Sequence, residues 1–352
     1  LPWKIIFKKL KKASKLTYIA ILKIILDLSL EEIYIYNGRF SCAKAAKEAA
    51  RKALIDFSVF DVRGGIRPYI HKNIDLHNVS HCIDRAFKFF EENPKSNYQI
   101  GCQYFLNRRN NIRTFEKSYT NKQTKGFYGF LEKNKKIISI FTSSDDEYRF
   151  LGKDWGINQK KIVQANEIYR FIKTIDKDKF QILIRIHPNQ TGVHTNSLRK
   201  IRSFSKYDGV SVYDPESPID SYAVLDKSDY VICFASSMAL EACYWGKTLF
   251  QIGPSPYAPL NIGYCYSDGL NCARKLNKIT EINENIAPKD KKNCIVFASY
   301  LMGYQDKLEY FEFKEGIYKV KNMNIPIKKI DRILCIPAKL LLYVLKRPNI
   351  FS

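Results

Sequence analysis

The sequence contains none of the cysteine pairs that structural zinc sites and disulfide-rich domains use. Its nine cysteines are at positions 42, 82, 102, 233, 243, 265, 272, 294 and 335. They form no Cys-x-x-Cys pair, and none has a histidine at zinc-ligand spacing. Cysteines scattered in this way indicate reduced thiols, as in cytoplasmic proteins. The pattern therefore predicts no metal centre built from cysteine.

A long hydrophobic run is also missing. Residues 16–30 are interrupted by Lys23 and Asp27 and lack a small-residue cleavage site, so they do not fit a signal peptide. Residues 328–347 are too short and too charged to span a membrane, which takes about 20 apolar residues. We therefore expect a cytoplasmic protein.

The same C-terminal segment has a basic amphipathic pattern that Pro337 interrupts. Its apolar residues share one side and its basic residues surround them: Ile330, Ile333, Leu334, Leu340, Leu341, Val344 and Leu345 against Lys328, Lys329, Arg332, Lys339, Lys346 and Arg347. This pattern fits peripheral attachment to the anionic inner face of the cytoplasmic membrane. It fits a helix that packs on the first lobe equally well.

Acidic residues are scarce relative to basic ones. The chain has 35 Asp and Glu against 58 Lys and Arg, a formal charge of +23. Such a surplus attracts nucleic acids, anionic membranes and phosphate-bearing substrates, although a lysine coat that serves solubility explains the same number. The sequence has no aromatic-basic RNA-binding signature, so we expect no nucleic-acid partner.

The 352 residues are too many for one ordinary core and fit two lobes with an appendage. We predict an N-terminal lobe over residues 1–132, a second lobe over 133–310 and a tail over 311–352. Short β-rich runs alternate with helical patterns, which indicates the α/β class. In the first lobe we predict strands at 33–36 and 57–62, helices at 43–54, 79–92 and 98–107, a linker at 118–126 and a helix-like bridge to residue 134.

The second lobe has the most regular pattern. We predict strands at 137–142, 181–186, 210–213, 230–234 and 248–252, and helices at 161–175, 197–205, 221–227 and 237–245. This succession is typical of a doubly wound parallel sheet, in which ligands bind beyond the carboxyl ends of the strands. A polar loop follows each predicted strand there, so we expect five such loops to converge on one edge.

His187 ends one of these strands, and Pro188 stops strand pairing because it has no amide hydrogen. A histidine at this edge can donate to a phosphate oxygen or act as a general acid toward a leaving phosphate. A strand-end histidine satisfied by backbone groups is the alternative.

Ser236 and Ser237 open a predicted helix, where hydroxyls and free amides form an anion site. Glu241, one turn deeper, is placed to accept hydrogen bonds from ribose hydroxyls. An ordinary serine cap with a favourably placed glutamate explains the same residues.

The loop after the first strand of the second lobe is acidic. It reads Ser143, Ser144, Asp145, Asp146 and Glu147, and one of its carboxylates can serve as a general base toward a sugar hydroxyl. A helix cap followed by first-turn acids is the alternative. In the first lobe, turns that contain Asn37, Arg39, Arg63 and His77 follow strand-like segments and are candidates for holding an acceptor.

Taken in order, these motifs resemble bacterial capsule and surface-polysaccharide biosynthesis glycosyltransferases. The resemblance is carried by Arg185-Ile186-His187-Pro188-Asn189, Ser217, the run 236–242, Gly246-Lys247 and 253–257 with Tyr257, together with Asn37-Gly38-Arg39-Phe40 and the loop 143–147. The His-Pro pair followed by a Ser-Ser pair is also similar to the donor site of bacterial sialyl- and Kdo-transferases, which use CMP-sugars.

The resemblance implies a GT-B fold, with two Rossmann-like domains facing across a cleft and a C-terminal helical tail. It implies no metal or other cofactor, a nucleotide-sugar donor and a glycan or lipid-linked glycan acceptor. Donor-binding residues would be Ser143, Ser144, Arg185, His187, Pro188, Asn189, Ser217, Ser236, Ser237, Glu241 and Tyr257. His187 would contact the donor phosphate, and Asp145, Asp146 or Glu147 would be the base. Residues 1–32 form a basic helical segment instead of further strands, which indicates a trimmed first lobe or a fragment.

Three functions follow as hypotheses. The first is sugar transfer from a CMP-sugar, or from a UDP- or GDP-sugar, to a growing capsule or lipopolysaccharide glycan. The second is a CDP-glycerol-type glycerophosphotransferase, which has similar His-Pro-Asn and Ser-Ser loops. The third is a non-catalytic basic protein that binds anionic lipid or nucleic acid.

Overall fold

The computed structural model describes residues 2–63, 67–112, 123–144, 153–157, 160–281, 286–307, 311–314 and 317–320. Its contacts divide the chain into two compact units, 1–306 and 307–352. The second unit contributes an antiparallel pair, β10 (Phe311–Lys314) and β11 (Ile317–Val320). The amphipathic segment 328–347 lies outside the described residues, and the lobe boundary near residue 132 stays a prediction.

The first unit begins with a long helix and a small sheet. Its elements are α1 (Pro2–Asp27), β1 (Glu32–Tyr36), α2 (Ser41–Ala53), β2 (Asp56–Arg63) and β3 (Arg67–Lys72). The strand order is β1-β2-β3, with β1 parallel and β3 antiparallel to β2. Ala49, Ala50, Phe57 and Val59 pack with Ile25 of α1 into a separate core. The predicted strands and α2 are confirmed, whereas β3 was not predicted.

Two helices follow, α3 (Val79–Glu92) and α4 (Pro94–Arg109). Asn78 and Asn93 begin them, because each side chain accepts a hydrogen bond from a backbone amide of the first turn. Both predicted helices are confirmed.

The predicted helix-like bridge to residue 134 is wrong. Residues 127–134 are irregular, and Gly129 has a positive φ of 79° that a helix does not allow. The backbone groups of this segment bond to later parts of the chain: the Glu132 amide donates to the side chain of Gln181, in the strand Phe180–Arg185, and the Phe127 carbonyl accepts from the amide of Asp220, which caps the helix Ser221–Lys227. The segment therefore follows the sheet instead of forming its own hydrogen-bond ladder.

Six parallel strands form the main sheet, in the order β6-β5-β4-β7-β8-β9. They are β4 (Lys136–Phe141), β5 (Phe180–Arg185), β6 (Val210–Tyr213), β7 (Tyr230–Cys233), β8 (Thr248–Ile252) and β9 (Tyr264–Tyr266). The helices are α5 (Gln164–Thr174), α6 (Asn196–Arg202), α7 (Ser221–Lys227), α8 (Met238–Tyr244), α9 (Gly269–Glu281) and α10 (Lys292–Gly303). The predicted α/β class and the doubly wound sheet are confirmed.

Numbered within this sheet, the strand order is 3-2-1-4-5-6, which is the order of the dinucleotide-binding fold. The direction of winding reverses between β4 and β7. The loops that leave these two strands diverge to opposite faces and open a crevice between them. The fold thus identifies the carboxyl ends of β4 and β7 as the place where a ligand is expected.

Both faces of the sheet are covered, as an all-parallel sheet requires. Ile138 and Ile140 of β4 face the core beneath α5, α6 and α9, whereas Ile137 and Phe141 face the core beneath α7, α8 and α10. The second core also includes residues of α3 and α4. A methyl group on Gly101 of α4 would lie 2.3 Å from the carbonyl oxygen of Ile295 in α10, so only glycine permits this approach.

Within the described part of the chain, every helix is too short or too polar to cross a membrane.

Candidate functional site

The loop after β5 holds His187 in a defined orientation. Its backbone amide donates to the Thr142 hydroxyl over 3.0 Å, and the amide of Asn189 donates to its Nδ1 over 3.1 Å. Because Nδ1 accepts a hydrogen bond, the neutral imidazole carries its proton on Nε2. His187, Pro188 and Asn189 are half-buried. The local turn therefore fixes both the tautomer and the direction of the ring.

Hydrogen bonds join the loops after β4, β5 and β7. The side-chain amide of Asn189 donates to the Ser144 hydroxyl over 3.3 Å, and the Ser143 hydroxyl donates to the Phe234 carbonyl oxygen. The Ser143 amide donates to Gln164 of α5 over 3.0 Å. Both serines are buried. Three of the predicted donor loops thus meet where the winding of the sheet reverses.

The loop after β7 carries the second pair of serines. It leaves the strand through Ala235, whose φ of +54° is unusual for a residue with a side chain. The Ser236 hydroxyl accepts a hydrogen bond from the Met238 amide over 3.3 Å, and Ser236 is buried. Ser237 is half-buried and borders a cavity.

This cavity has a volume of about 280 Å³. It is lined by Tyr69, Leu76, His77, Val79, Cys82, Tyr104, Trp155, Ser237, Pro256, Tyr257, Phe297 and Leu301. His77, Ser237 and Tyr257 belong to the predicted site, so the structure brings one predicted acceptor residue and two predicted donor residues to the same cavity. None of these lining residues is an aspartate, glutamate, lysine or arginine.

Aromatic side chains make up much of the cavity wall. The His77 ring stacks on Trp155 with centroids 4.7 Å apart, and Tyr257 packs edge-on against Phe297 at 6.1 Å. Sequence reasoning missed Tyr69, Tyr104, Trp155 and Phe297. They lie in four separate segments, and Tyr104 and Phe297 follow the ordinary apolar spacing of helices α4 and α10.

Arg185 lies inside the protein, 3% exposed. Its guanidinium donates to the carbonyl oxygens of Asp214 and Ser217 in the loop after β6, the latter over 3.3 Å. Burial lowers the pKa of Arg185 to about 10. The Ser217 hydroxyl accepts from the Ile219 amide over 3.4 Å. These contacts give Arg185 and Ser217 a role in shaping this loop.

Glu241 is fully buried on the face of α8 that packs toward α4. Its carboxylate accepts a hydrogen bond from Arg108 Nε over 2.6 Å. Burial raises the pKa of this carboxyl, and the Arg108 charge opposes the rise. Glu241 does not border the cavity, and its pairing favours the structural alternative over contact with a ribose.

Two of the three remaining first-lobe candidates, Asn37 and Arg39, lie just after β1. Asn37 is buried with φ of 61°, and its side chain donates to Asp61 over 2.5 Å. Arg39 donates to the Asn37 side chain over 3.1 Å. Neither residue lines the cavity. Arg63 ends β2, and its side chain lies outside the described residues, as do Asp145, Asp146 and Glu147.

No protein-family model matches the chain, and no curated protein matches it. Solved structures with a similar course include the β-Kdo 2,4-transferase KpsC of Thermosulfurimonas dismutans, with 11% identity over 83% of this chain and 85% of that one and a TM-score of 0.46. The UDP-GlcNAc 2-epimerase from Neisseria meningitidis has 14% identity over 83% and 80%, with a TM-score of 0.41. The wall teichoic acid polymerase TagF has 13% identity over 64% of this chain and 44% of its own length, with a TM-score of 0.30.

Similarity this remote assigns neither an activity nor a substrate to the chain.

Proposed function

We propose that the chain is a metal-independent glycosyltransferase that moves a sugar from a nucleotide sugar to a growing surface glycan or lipid-linked glycan. A CMP-sugar is the favoured donor. The observation that carries the proposal is the hydrogen-bonded junction of Ser143, Ser144 and Asn189 at the reversal point of the sheet. Ligands of doubly wound sheets bind at that point.

The proposed role of His187 is to hold the donor phosphate. Its Nδ1 accepts from Asn189, so Nε2 carries the proton that a phosphate oxygen can accept. As the bond between sugar and phosphate breaks, this contact stabilises the negative charge that develops on the leaving nucleotide. The hydroxyls of Ser236 and Ser237 are proposed to bind the same phosphate.

The proposed base is Asp145, Asp146 or Glu147, by the family resemblance and by position directly after Ser144. The carboxylate takes the proton of an acceptor hydroxyl while the oxygen of that hydroxyl attacks the anomeric carbon. The anomeric carbon then loses its bond to the nucleotide phosphate, and a nucleoside monophosphate leaves when the donor is a CMP-sugar.

The cavity is proposed to hold an uncharged ring next to the phosphate-binding serines. Ser237 lies on its border, and apart from Cys82 its other described lining residues are aromatic or aliphatic. Aromatic side chains stack on nucleobases and on the apolar faces of rings. Among the lining residues that the structure describes there is no lysine or arginine, which argues against a phosphate there.

A nucleotide-binding screen tests this proposal. Purified protein is examined by thermal shift and calorimetry with CMP, CDP, UDP and GDP, because a ligand that binds the folded state stabilises it by mass action. We expect CMP to raise the unfolding temperature. His187→Ala should lose most of this response, whereas His194→Ala, an exposed histidine of the same connection, should retain it. No stabilisation at millimolar nucleotide, or an unchanged response in His187→Ala, would contradict the phosphate site.

The products separate the two enzyme hypotheses. A glycosyltransferase that uses a CMP-sugar releases CMP and leaves a new glycosidic bond on the acceptor. A glycerophosphotransferase also releases CMP, but from CDP-glycerol, and leaves a phosphodiester. Turnover of CDP-glycerol without turnover of any nucleotide sugar would replace the first hypothesis with the second.

A further inference from the structure

Helix α1 runs parallel to α2 and extends beyond its start. The Ser14 hydroxyl donates to the carbonyl of Ser41, the first residue of α2, over 3.1 Å. At the other end, the amide of Asp56 donates to the carbonyl of Glu31, so the C-terminal ends of the two helices also lie together. Residues 4–13 therefore project past α2 by about 15 Å at 1.5 Å per residue.

The packed face of α1 continues along the projecting part without a partner in the described structure. Tyr18, Ile21, Leu22 and Ile25 pack against the core beneath α2. At the same helical spacing toward the N-terminus lie Ile6, Phe7 and Leu10, which are 42%, 72% and 43% exposed. We call these three residues the α1 stripe. The α1 stripe differs from the other exposed apolar residues of α1 in continuing the face that packs on the core, and contiguous apolar surfaces of this kind are typical of interaction sites.

The charge around the α1 stripe has one sign. Lys4, Lys8, Lys11 and Lys15 follow helical spacing along its flank, and Lys9 and Lys12 add to them. The first acidic residue of the chain is Asp27, outside the projecting part. An apolar stripe flanked by lysine is the pattern of helices that lie in the headgroup region of an anionic bilayer.

We propose that residues 4–15 of α1 dock on an anionic membrane surface, with the α1 stripe between the headgroups and the lysines on lipid phosphates. The helix lies on the surface and does not span it, since its 26 residues are long enough to cross a bilayer but too polar to do so. Phe40, 65% exposed and adjacent to Ser41, lies at the same end of the molecule. The docking surface is independent of the proposed transferase activity.

Docking in this position has a geometric consequence. The contact between Ser14 and Ser41 places the projecting part beside the carboxyl end of β1, where Asn37 and Arg39 lie. If the proposed function holds, the partly exposed Arg39 lies at the end of the molecule where a lipid-linked acceptor would meet the bilayer surface.

Vesicle co-sedimentation of the full chain tests the proposal. We expect binding to vesicles of phosphatidylcholine mixed with phosphatidylglycerol, little binding to phosphatidylcholine alone, and loss of binding at high salt. Phe7→Glu/Leu10→Glu should abolish binding. The matched control is Ile19→Glu/Leu26→Glu, which changes two exposed apolar residues on the opposite face of the same helix and should retain it.

The lysines are tested separately. Lys8→Gln/Lys11→Gln/Lys15→Gln should weaken partitioning on the order of 100-fold, because each lysine near an anionic surface contributes on the order of 1 kcal/mol. All variants must keep the wild-type thermal transition, which shows that they fold.

Three results would overturn the proposal. They are full binding by Phe7→Glu/Leu10→Glu, binding that depends on the lysines but not on the α1 stripe, and a wild-type dimer that the stripe variant dissociates without any vesicle binding. None of these readouts needs a nucleotide or an acceptor, so failure here and failure of the transferase hypothesis are distinguishable.

Discussion

The side-chain amide of Asn189 donates to the Ser144 hydroxyl over 3.3 Å, and this bond joins the loops after β5 and β4. We expect a double-mutant cycle of Asn189→Ala and Ser144→Ala to give a coupling of about 0.5–1 kcal/mol in the free energy of unfolding, as a single neutral hydrogen bond contributes. Urea denaturation measures it. Thr191→Ala, in the same loop, should show no coupling with Ser144→Ala.

A coupling near zero between Asn189 and Ser144 would mean that the two loops are positioned independently. The junction at the reversal point would then lose its support as a preformed site.

The main sheet could be predicted from the sequence because its strands are short apolar runs between helical patterns. The strands β6 and β8 and the helix α7 have the predicted bounds residue for residue. The edge strand β3 could not be predicted, because Pro68 lies inside it and lacks the amide hydrogen of an interior strand residue. Proline is tolerated there because β3 is paired on one side only.

The predicted loops converge for a reason that the sequence contains, since carboxyl ends of parallel strands share one edge. The contacts that their side chains make could not be predicted from the sequence. Nothing in the spacing indicates that Glu241 pairs with Arg108, 133 positions earlier, or that Tyr104 and Phe297 share a cavity wall. Such contacts depend on how helices pack, which local patterns do not encode.

Replacing Arg108 tests the buried ion pair. We expect Arg108→Leu to lower the free energy of unfolding by about 3–5 kcal/mol at neutral pH, because it leaves the Glu241 carboxylate buried and unpaired. Arg109→Leu is the control, since the pair of Arg109 with Asp226 is partly exposed and should contribute about 1 kcal/mol.

The same pair has a pH signature. Burial raises the pKa of Glu241 above its ordinary value, so the folded state holds this proton more tightly than the unfolded state. Stability should therefore fall as pH rises from about 4.5 through the raised pKa. Arg108→Leu removes the opposing charge and should steepen this fall, whereas Glu241→Gln should abolish it. Urea denaturation midpoints, measured across this pH range, test the prediction. If stability changes with pH by the same amount in the wild type, Arg108→Leu and Glu241→Gln, Glu241 is not the titrating group.

Asp306 joins the segment after α10 to the small sheet. Its carboxylate accepts from Arg85 over 2.6 and 2.8 Å and from the Ile70 amide over 2.8 Å. We expect Asp306→Asn to destabilise the protein by about 2–4 kcal/mol, because it leaves a largely buried guanidinium without its charge partner. Asp178→Asn, at an exposed position, should change stability by less than about 0.5 kcal/mol. Thermal unfolding measures both, and equal transitions would contradict the prediction.

Because His71 is buried in its neutral form, we expect the folded state to lose stability in mild acid. Burial lowers its pKa to about 4, and the charges of Arg85 and His81 act in the same direction against a hydrogen bond to the Asp75 carbonyl. The unfolded state therefore takes up the proton first as pH falls from 6.5 toward 4. We expect roughly 3 kcal/mol of stability to be lost across this window.

His71→Gln should flatten this part of the stability profile, while His194→Gln should leave it unchanged. His81 has a lowered pKa as well, again chiefly by burial, so a residual slope is expected in His71→Gln. A slope identical to that of the wild type would show that His71 does not cause the acid sensitivity.

The close approach of Gly101 and Ile295 has a consequence for folding during translation. The two residues are 194 positions apart, since 295 − 101 = 194, so at roughly 5–20 residues per second α10 is synthesised about 10 to 40 seconds after α4. During that interval the apolar side of α4, including Phe105, has no α10 to cover it. Until α10 is made, the nascent chain therefore carries a core that lacks one of its covering helices.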